Sequence, residues 1–384
     1  MDSRYKNSGK EPELLEETEE KRTYPDFVYP PVDVEKDPVD PPFEDSVNNP
    51  AGEISSPETE PLEIPKKKKH HPVRNLFLAL FFLLLLMSVF LFGTFFILAG
   101  NTTYKPLEKI NEEASWNLKK AREKGVTNIL LIGTDARKKG EDSRSDSMIL
   151  ISICPLQGKI CLTSILRDSY VTIPGYGENR INHAYQMGGA RLLIETIEMN
   201  FHVRVDHYVK ADFYDFMDVI DALGGVEMDI TDEEVHYVNS YLSEINHLLN
   251  VDPHDGMLQT GGRYLLSGKQ ALAYSRIRYI GTDFGRTERQ RKVISAVMNK
   301  GKQDPVSFIK ALPEAFSSLE TDMSRIDFGI YGMGAPLYLL FKTETDRVPM
   351  EGMWKNELTP SGQEVLGIDF EAQTKALIEK IYGN

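Results

Sequence analysis

Residues 75–100, NLFLALFFLLLLMSVFLFGTFFILAG, carry no charged side chain. As a helix this run rises about 39 Å, enough to cross about 30 Å of hydrocarbon. It predicts a single N-terminal transmembrane helix whose two flanks lie in different compartments. Lys66 to Lys69 and Arg74 precede it within the basic stretch 66–74, so the positive-inside rule keeps the N-terminus cytoplasmic and places everything after Gly100 outside the cell. A cleaved signal peptide is the competing reading, but its apolar core would be shorter and would not stand behind some seventy residues of tail.

The tail has its own character. Residues 1–65 hold eighteen acidic and six basic side chains, many prolines and few large apolar residues. Such a segment buries too little apolar surface to offset the entropy of ordering it, so a disordered cytoplasmic tail with unspecified partners is expected. Residues 75–384 retain a net charge of −7. An acidic ectodomain outside the cell excludes nucleic acid as a partner, and any clustered arginines in it serve a local ligand.

About 280 extracellular residues suit one large domain with an appendage. Residues 101–125 predict a juxtamembrane helix ended by a glycine, residues 126–300 the main domain, and residues 301–384 a C-terminal helical extension packed on it. VTNILLIGTD, SMILISI, ICLTSIL and YVTI are short apolar, β-branched runs that predict strands, joined later by 205–211 and 226–230. Helical patterns fall at 184–200, 212–223, 233–248, 267–275, 285–301, 304–319 and 368–381. The alternation implies an α/β fold, a three-layer α-β-α sandwich around a central mixed sheet.

The two cysteines lie in ICPLQGKIC, symmetric about Gln157 and Gly158. A hairpin turned there sets Cys154 opposite Cys161, at a separation a disulfide spans in an oxidising compartment. Two small strand residues that stay thiols are the equal alternative.

IGTDARKKGEDSRSDSMIL ends one strand with Asp135 and begins the next with Arg144 and Asp146. If the two strands are neighbours, Asp135 and Asp146 converge across the loop. Paired carboxylates with no His or Cys cluster suit a hard, oxygen-seeking cation, Mg²⁺ first and Mn²⁺ second. The bland alternative is that Asp135 caps a turn while Asp142 and Asp146 are solvated. Five arginines then fall within sixteen residues of RIRYIGTDFGRTERQR. RIR in extended conformation places Arg276 and Arg278 on one face, and Arg286 and Gln290 share a helix face. Arg167 ends a strand in SILRDSY. Guanidinium groups that converge on one pocket repel each other unless an anion is present, so arginines beside two carboxylates describe a site for a metal-bound diphosphate. Ordinary surface ion pairs account for Arg180, Arg289 and Arg291, and His183 reads as a structural histidine at a helix start.

NILLIGTDAR, SRSDSMILISI, TSILRDSYVTIPG, RINHAYQMGG, FYDFMDVIDALGGVEMDI and LSGKQALAYSRIRY with DFGRTERQRKVI form an ordered set that resembles the LytR-CpsA-Psr family, over roughly residues 126–300. The resemblance implies an extracellular phosphotransferase that moves a glycan polymer from an undecaprenyl diphosphate carrier to peptidoglycan in cell-wall assembly. It assigns Asp135 and Asp146 to Mg²⁺. It assigns Arg144, Arg167, Arg276, Arg278, Arg286 and Gln290 to the pyrophosphate, with Lys210 of HYVKADF as a further basic ligand. Among these, Asp135, Asp146, Arg144 and Arg278 are the expected catalytic set. It also implies an apolar tail pocket, for which FYDFMDVIDALGG and QALAYS provide material that would equally fill a core. Two other functions fit the same residues: a polyprenyl-diphosphate pyrophosphatase, and a membrane-bound regulator that binds lipid-linked glycan without turnover.

Overall fold

Residues 145–154, SDSMILISIC, set the architecture. Met148 and Leu150 face one apolar cluster with Leu130 and Ile132, while Ile149, Ile151 and Ile153 face another. A strand apolar on both sides must be covered on both sides. It lies third from one edge of a seven-stranded mixed sheet whose strands run in the order 103–104, 320–321, 207–211, 127–134, 145–154, 159–165 and 342–348. The computed structural model describes residues 72–107, 124–135, 145–317 and 319–383.

The sheet strands are β1 (Thr103–Tyr104), β2 (Thr127–Thr134), β3 (Ser145–Cys154), β4 (Lys159–Ile165), β7 (His207–Ala211), β10 (Glu320–Thr321) and β11 (Lys342–Val348). Three two-stranded ribbons accompany them: β5 (Tyr170–Ile173) with β6 (Gly177–Arg180), β8 (Val226–Ile230) with β9 (Gly262–Leu266), and β12 (Trp354–Leu358) with β13 (Glu364–Ile368). The helices are α1 (Pro72–Leu98), α2 (Asn182–Phe201), α3 (Phe213–Ala222), α4 (Asp232–Leu248), α5 (Gly268–Ser275), α6 (Thr282–Gln303), α7 (Pro305–Ala315), α8 (Arg325–Tyr338) and α9 (Phe370–Tyr382). Leu193, Ile197 and Phe201 of α2 and Leu377 and Ile381 of α9 cover one sheet face, whereas Ile294 and Met298 of α6 cover the other, which gives the three expected layers. A second core gathers α3, α4 and α5 with the β8–β9 ribbon around Ile220, Val238, Leu242 and Tyr274. FYDFMDVIDALGG and QALAYS fall here, as packed core: Met217, Ile220, Leu272 and Tyr274 are buried.

Local chemistry explains where the helices start. Asp212 caps α3 and exchanges a capping box with Asp215, and Thr231 does the same for α4 with Glu234. α2 is broken at Gly188 and Gly189; Gly189 has φ +65°, which a side chain disfavours. Among the described residues one helix, Val73–Ile97, is long and apolar enough to cross a membrane.

Two expectations need correction. Residues 301–384 do not form a purely helical extension, because β11 pairs in parallel with β4 and β10 pairs with β7 inside the main sheet. KTETDRV hides this role: it is an edge strand, mostly half-exposed, and lacks an apolar signature. Cys154 and Cys161 are not opposite each other either. Cys154 pairs with Lys159 and Cys161 with Ser152, so the buried, free thiols are diagonal neighbours. Pro155 has no N–H to donate, which ends the ladder at Cys154, and the turn closes on Gly158 in left-handed conformation. Their mutual hydrogen bond, then burial, pushes the Cys154 thiol up. Residues 1–65, most of the juxtamembrane stretch 101–125, Asp142 and Arg144 lie outside the described residues.

Candidate functional site

One edge of the sheet gathers the chemistry. β2 runs antiparallel to β3, and β3 antiparallel to β4, so the end of β2, the start of β3 and the end of β4 coincide. Asp135 follows β2 and is exposed. Asp146 sits in a bulge: Ser147 pairs with Gly133 and Ser145 with Thr134, which leaves Asp146 as the extra residue. A bulge re-aims its side chain out of the ladder. Both carboxylates therefore occur at one sheet edge, as the spacing predicts.

Asp146 is clasped by guanidinium groups. Arg278 Nη2 donates to its Oδ2 at 2.9 Å and Arg167 Nη1 to its Oδ1 at 3.2 Å, while Arg286 Nη2 donates to its backbone carbonyl at 3.1 Å. Gln290, one turn after Arg286, accepts from Ser147 Oγ at 2.9 Å. Burial works to raise the Asp146 pKa, but Arg167, Arg286 and Arg278 outweigh it and hold the carboxyl below its usual range. Arg286 is 2% exposed. Burial, helped by Arg278 and Arg167 and opposed by Asp283, pulls its pKa down to about 10. Its Nε and Nη1 have no hydrogen-bond partner among the described residues.

Two carboxylates that the sequence reading passed over complete the site. Asp283 meets Arg286 Nη2 at 2.7 Å and Arg167 Nε at 3.6 Å. Asp168 lies 3.5 Å from Arg167 Nε and 3.4 Å from Arg180 Nη1. Burial raises Asp283 above the ordinary carboxylate value despite Arg286 and Arg167. The signal for Asp283 was present: it stands three residues before Arg286 on the same helix, a spacing at which side chains meet.

Other expected members lie elsewhere. Arg276 ends α5 in helical conformation, so strand alternation does not apply to RIR. Its guanidinium pairs with Glu244 at 3.2 Å and lies 5.0 Å from the ring centres of both Phe213 and Tyr241. Lys210 donates to Glu320 at 3.3 Å; it shares the sheet face of Tyr208, whereas Ser147 reaches Gln290 on the α6 face. Although burial lowers the Lys210 pKa, Tyr185 and Glu320 leave it raised. Arg289 and Arg291 are buried, not surface ion pairs, and Arg289 Nε donates to Glu234 at 2.9 Å. His183 is the second residue of α2, at a helix start as expected.

The donor set fits a hard cation. Asp135 and Asp146 offer oxygen alone, and Mg²⁺ is commonly held by one or two carboxylates, with phosphate oxygens and water completing its shell. Among the described residues no group of three or more His, Cys, Asp or Glu could hold a metal ion.

Comparison with known proteins bears on part of the chain, up to 73% of it for the solved structures. It is 33% identical over 229 residues to the polyisoprenyl-teichoic acid–peptidoglycan teichoic acid transferase TagU of Enterococcus faecalis, covering 58% of this chain and 68% of that protein. It is 38% identical over 187 residues to the protein of that name from Oceanobacillus iheyensis, covering 47% and 52%. The Bacillus subtilis TagU is 33% identical over 219 residues, covering 56% and 63%. The matched segments thus span about half to about two thirds of these relatives. The crystal structure of B. subtilis TagT superimposes with a TM-score of 0.52 at 24% identity, covering 73% of this chain and 97% of that one. TagT with bound octaprenyl pyrophosphate lipid gives 0.51 at 23%, covering 73% and 96%. These structures share the fold. The LytR_cpsA_psr family profile matches residues 92–372, well past the limit at 300 drawn from the motifs and into β11 and α9, so the chain belongs to the LytR_cpsA_psr family.

Proposed function

We propose that this protein is a membrane-anchored transferase, acting outside the cell, that moves a glycopolymer from undecaprenyl diphosphate to a hydroxyl of peptidoglycan. The observation that carries this reading is the buried, incompletely satisfied Arg286 beside a carboxylate already clasped by Arg167 and Arg278. Three guanidinium groups converging at one point suit a diphosphate, whose oxygens accept paired guanidinium donors. Two findings on relatives support the ligand class: the transferase names of the TagU proteins, and the octaprenyl pyrophosphate lipid bound by TagT. On the α6 face of the sheet Leu131, Ile151, Ile153, Ile294 and Met298 are apolar and only partly buried, and this is the surface on which a polyprenyl tail would lie.

In the reaction a muramic acid hydroxyl attacks the phosphorus bound to the sugar. A new oxygen–phosphorus bond forms, the bond to the bridging oxygen breaks, and polyprenyl monophosphate leaves with the electron pair. Arg167, Arg278 and Arg286 hold the diphosphate and neutralise charge on the leaving phosphate, so positioning and electrostatics carry the rate. Asp146, held below the usual carboxylate range by its arginines, is a weak base, which leaves Asp135 or water to take the hydroxyl proton. Asp135 and Asp146 would hold a Mg²⁺ ion, or Mn²⁺ in its place, which when bound polarises the phosphate oxygens.

The test incubates the protein with undecaprenyl-diphosphate glycan, Mg²⁺ and peptidoglycan oligomers, and follows polyprenyl monophosphate and linked glycan by mass spectrometry. Linked product that vanishes in Asp146→Ala and Arg278→Ala is the expected result. Release without linkage would make the protein a pyrophosphatase. Binding without release would make it a lipid-glycan-binding regulator.

A further inference from the structure

α8 is an unusual helix for a protein surface. From Phe328 to Phe341 the chain has no charged residue, and Asp327 and Lys342 bracket the stretch, with Arg325 two residues before Asp327. Ile326, Ile330, Met333, Leu337 and Leu340 are all exposed, from 37% to 82%. Their spacing of four, three, four and three residues draws one apolar stripe along the helix and just past its end. Exposed apolar residues are ordinary when scattered, but a continuous stripe is not.

The flank of α8 next to this stripe packs on α1. Gly329 and Gly332 permit this: a Cβ at either position would stand 2.5 Å from Phe92 and 2.2 Å from Phe95 respectively. Small residues at such a contact let two helices approach closely, as they do between helices in lipid. Ser88 Oγ lies 3.2 Å from Met333 Sδ, and the Arg325 guanidinium stands beside Gly100. α8 therefore runs alongside the outer end of the apolar helix, with Ser88 about 14 Å short of Ile97. Leu91 and Phe95 are buried against α7 and α8, while the rest of α1 offers lipid its exposed leucines and phenylalanines.

We propose that α8 is a second membrane contact, seated in the outer leaflet beside α1 with the Ile326–Leu340 stripe against lipid. The occupant of this face follows from continuity: α8 adjoins the part of α1 that leaves the bilayer, and its stripe extends the apolar surface of the span. Arg325, beside Gly100 at the outer end of α1, is placed to reach the headgroups. Tyr338 and Phe341, at the end of α8, belong to the same apolar cluster as Ile149, Ile160 and Leu162 of the sheet. Lipid touching α8 thus borders the sheet face proposed for the polyprenyl tail, and a tail enters there from the leaflet without crossing water. The seat itself rests on α1 being a membrane span, not on the transferase reading.

The test uses full-length protein in phosphatidylglycerol–phosphatidylcholine vesicles. Ile330→Cys and Leu337→Cys are each labelled with an environment-sensitive fluorophore, alongside Leu358→Cys on an exposed strand and Leu80→Cys in the span. The unsubstituted protein, whose two thiols are buried, gives the background. Nitroxides placed near the top of the acyl chains should quench labels 330 and 337 several-fold more strongly than label 358 and shift their emission to the blue. Labels 330 and 337 that behave like 358, while 80 reports hydrocarbon, overturn the seat alone. A label at 80 that also reports water overturns the span and the seat together. Ile330→Glu with Leu337→Glu supplies a check that leaves the core untouched: it should reduce co-flotation of the folded ectodomain surface with lipid, read as loss of quenching at a label on Met333→Cys.

Discussion

Arg286 and Arg289 lie three residues apart on α6 and are both buried, at 2% and 6% exposure. Their surroundings differ in one respect. Arg289 is satisfied: Nε donates to Glu234 at 2.9 Å, Nη1 donates to the Ile280 carbonyl at 2.9 Å, and the guanidinium lies 5.9 Å from the Tyr274 ring centre. Glu234 is committed in turn, since its other oxygen accepts from the Thr231 backbone and completes the cap of α4. Arg286 has its own carboxylate, Asp283 at 2.7 Å, but it is also crowded by Arg278 and Arg167, and its Nε and Nη1 lack a hydrogen-bond partner among the described residues. Burial therefore does not separate a structural arginine from a functional one; the local balance of charge does.

The sharpest break of this comparison is a pair of substitutions. Arg286→Met removes a preorganised guanidinium from the site, so turnover should fall by roughly 10²–10³-fold. Its stability should fall less than that of Arg289→Met, because Asp283 keeps the Arg167 guanidinium at 3.6 Å. Arg289→Met leaves Glu234 charged and buried, which costs about 3–5 kcal/mol and lowers the melting temperature by roughly 10 °C. Turnover per folded molecule should stay within a few-fold of the parent. Thermal unfolding and a turnover assay on the same samples check both. Adding Glu234→Met to Arg289→Met should restore most of the stability, since an apolar pair replaces a buried ion pair at little cost. Equal losses of activity in the two single variants would erase the distinction.

Buried carboxylates repeat the contrast with opposite sign. Asp146, with its arginines, is held below its ordinary 3.8, whereas burial pushes Glu198 from 4.5 up to about 7 against the Val205 N–H and Arg204. The folded state thus holds the Glu198 proton more tightly than the unfolded chain, and its contribution to stability is lost as pH rises from 4.5 through about 7. The size is about 3 kcal/mol. Asp146 contributes stability that is present above 3.8 and lost as pH falls through its lower folded value. Denaturant titrations from pH 3 to 8 should give Glu198→Gln a flatter profile between about 4.5 and 7, and Asp146→Asn a flatter one only at the acid end. A Glu198→Gln profile parallel to the parent would show that the carboxylate finds another partner on ionising.

How much was legible follows from the same physics. The central strands and most helices announced themselves, because β2 and β3 are apolar on both faces and the helices carry their caps. Arg167 at a strand end and Arg286 with Gln290 at i, i+4 were legible because those relations survive folding unchanged, whereas Arg278 was picked out by a strand alternation that RIR does not adopt. β11 was not, because an edge strand written KTETDRV has no pattern to read. Arg289 was misread as a surface residue because its partner Glu234 lies 55 residues away, on a different helix. Asp283 was overlooked because an acidic residue in a first helical turn resembles an ordinary complement to the helix dipole. The thiol register depended on one proline.

Arg276 gives the smallest and most discriminating prediction. RIR suggested that Arg276 and Arg278 act together, yet Arg276 keeps the helical conformation of α5, wholly buried Ile277 separates the two, and only Arg278 reaches Asp146. Arg276 instead lies against Phe213 and Tyr241 with half-exposed Glu244 beside it. Cation–π contacts and a solvent-screened ion pair of this kind stabilise by about 1 kcal/mol together. Arg276→Ala should therefore lower stability by about that amount and turnover by less than about tenfold, while Arg278→Ala should lose far more activity at smaller cost in stability. The decisive measurement is the ratio of the two turnover losses, with Arg276→Lys as a third point that keeps the charge and loses the planar stack. If Arg276→Ala matches Arg278→Ala, Arg276 leaves Glu244 to bind substrate, and the arginine set extends from α6 across to the second core.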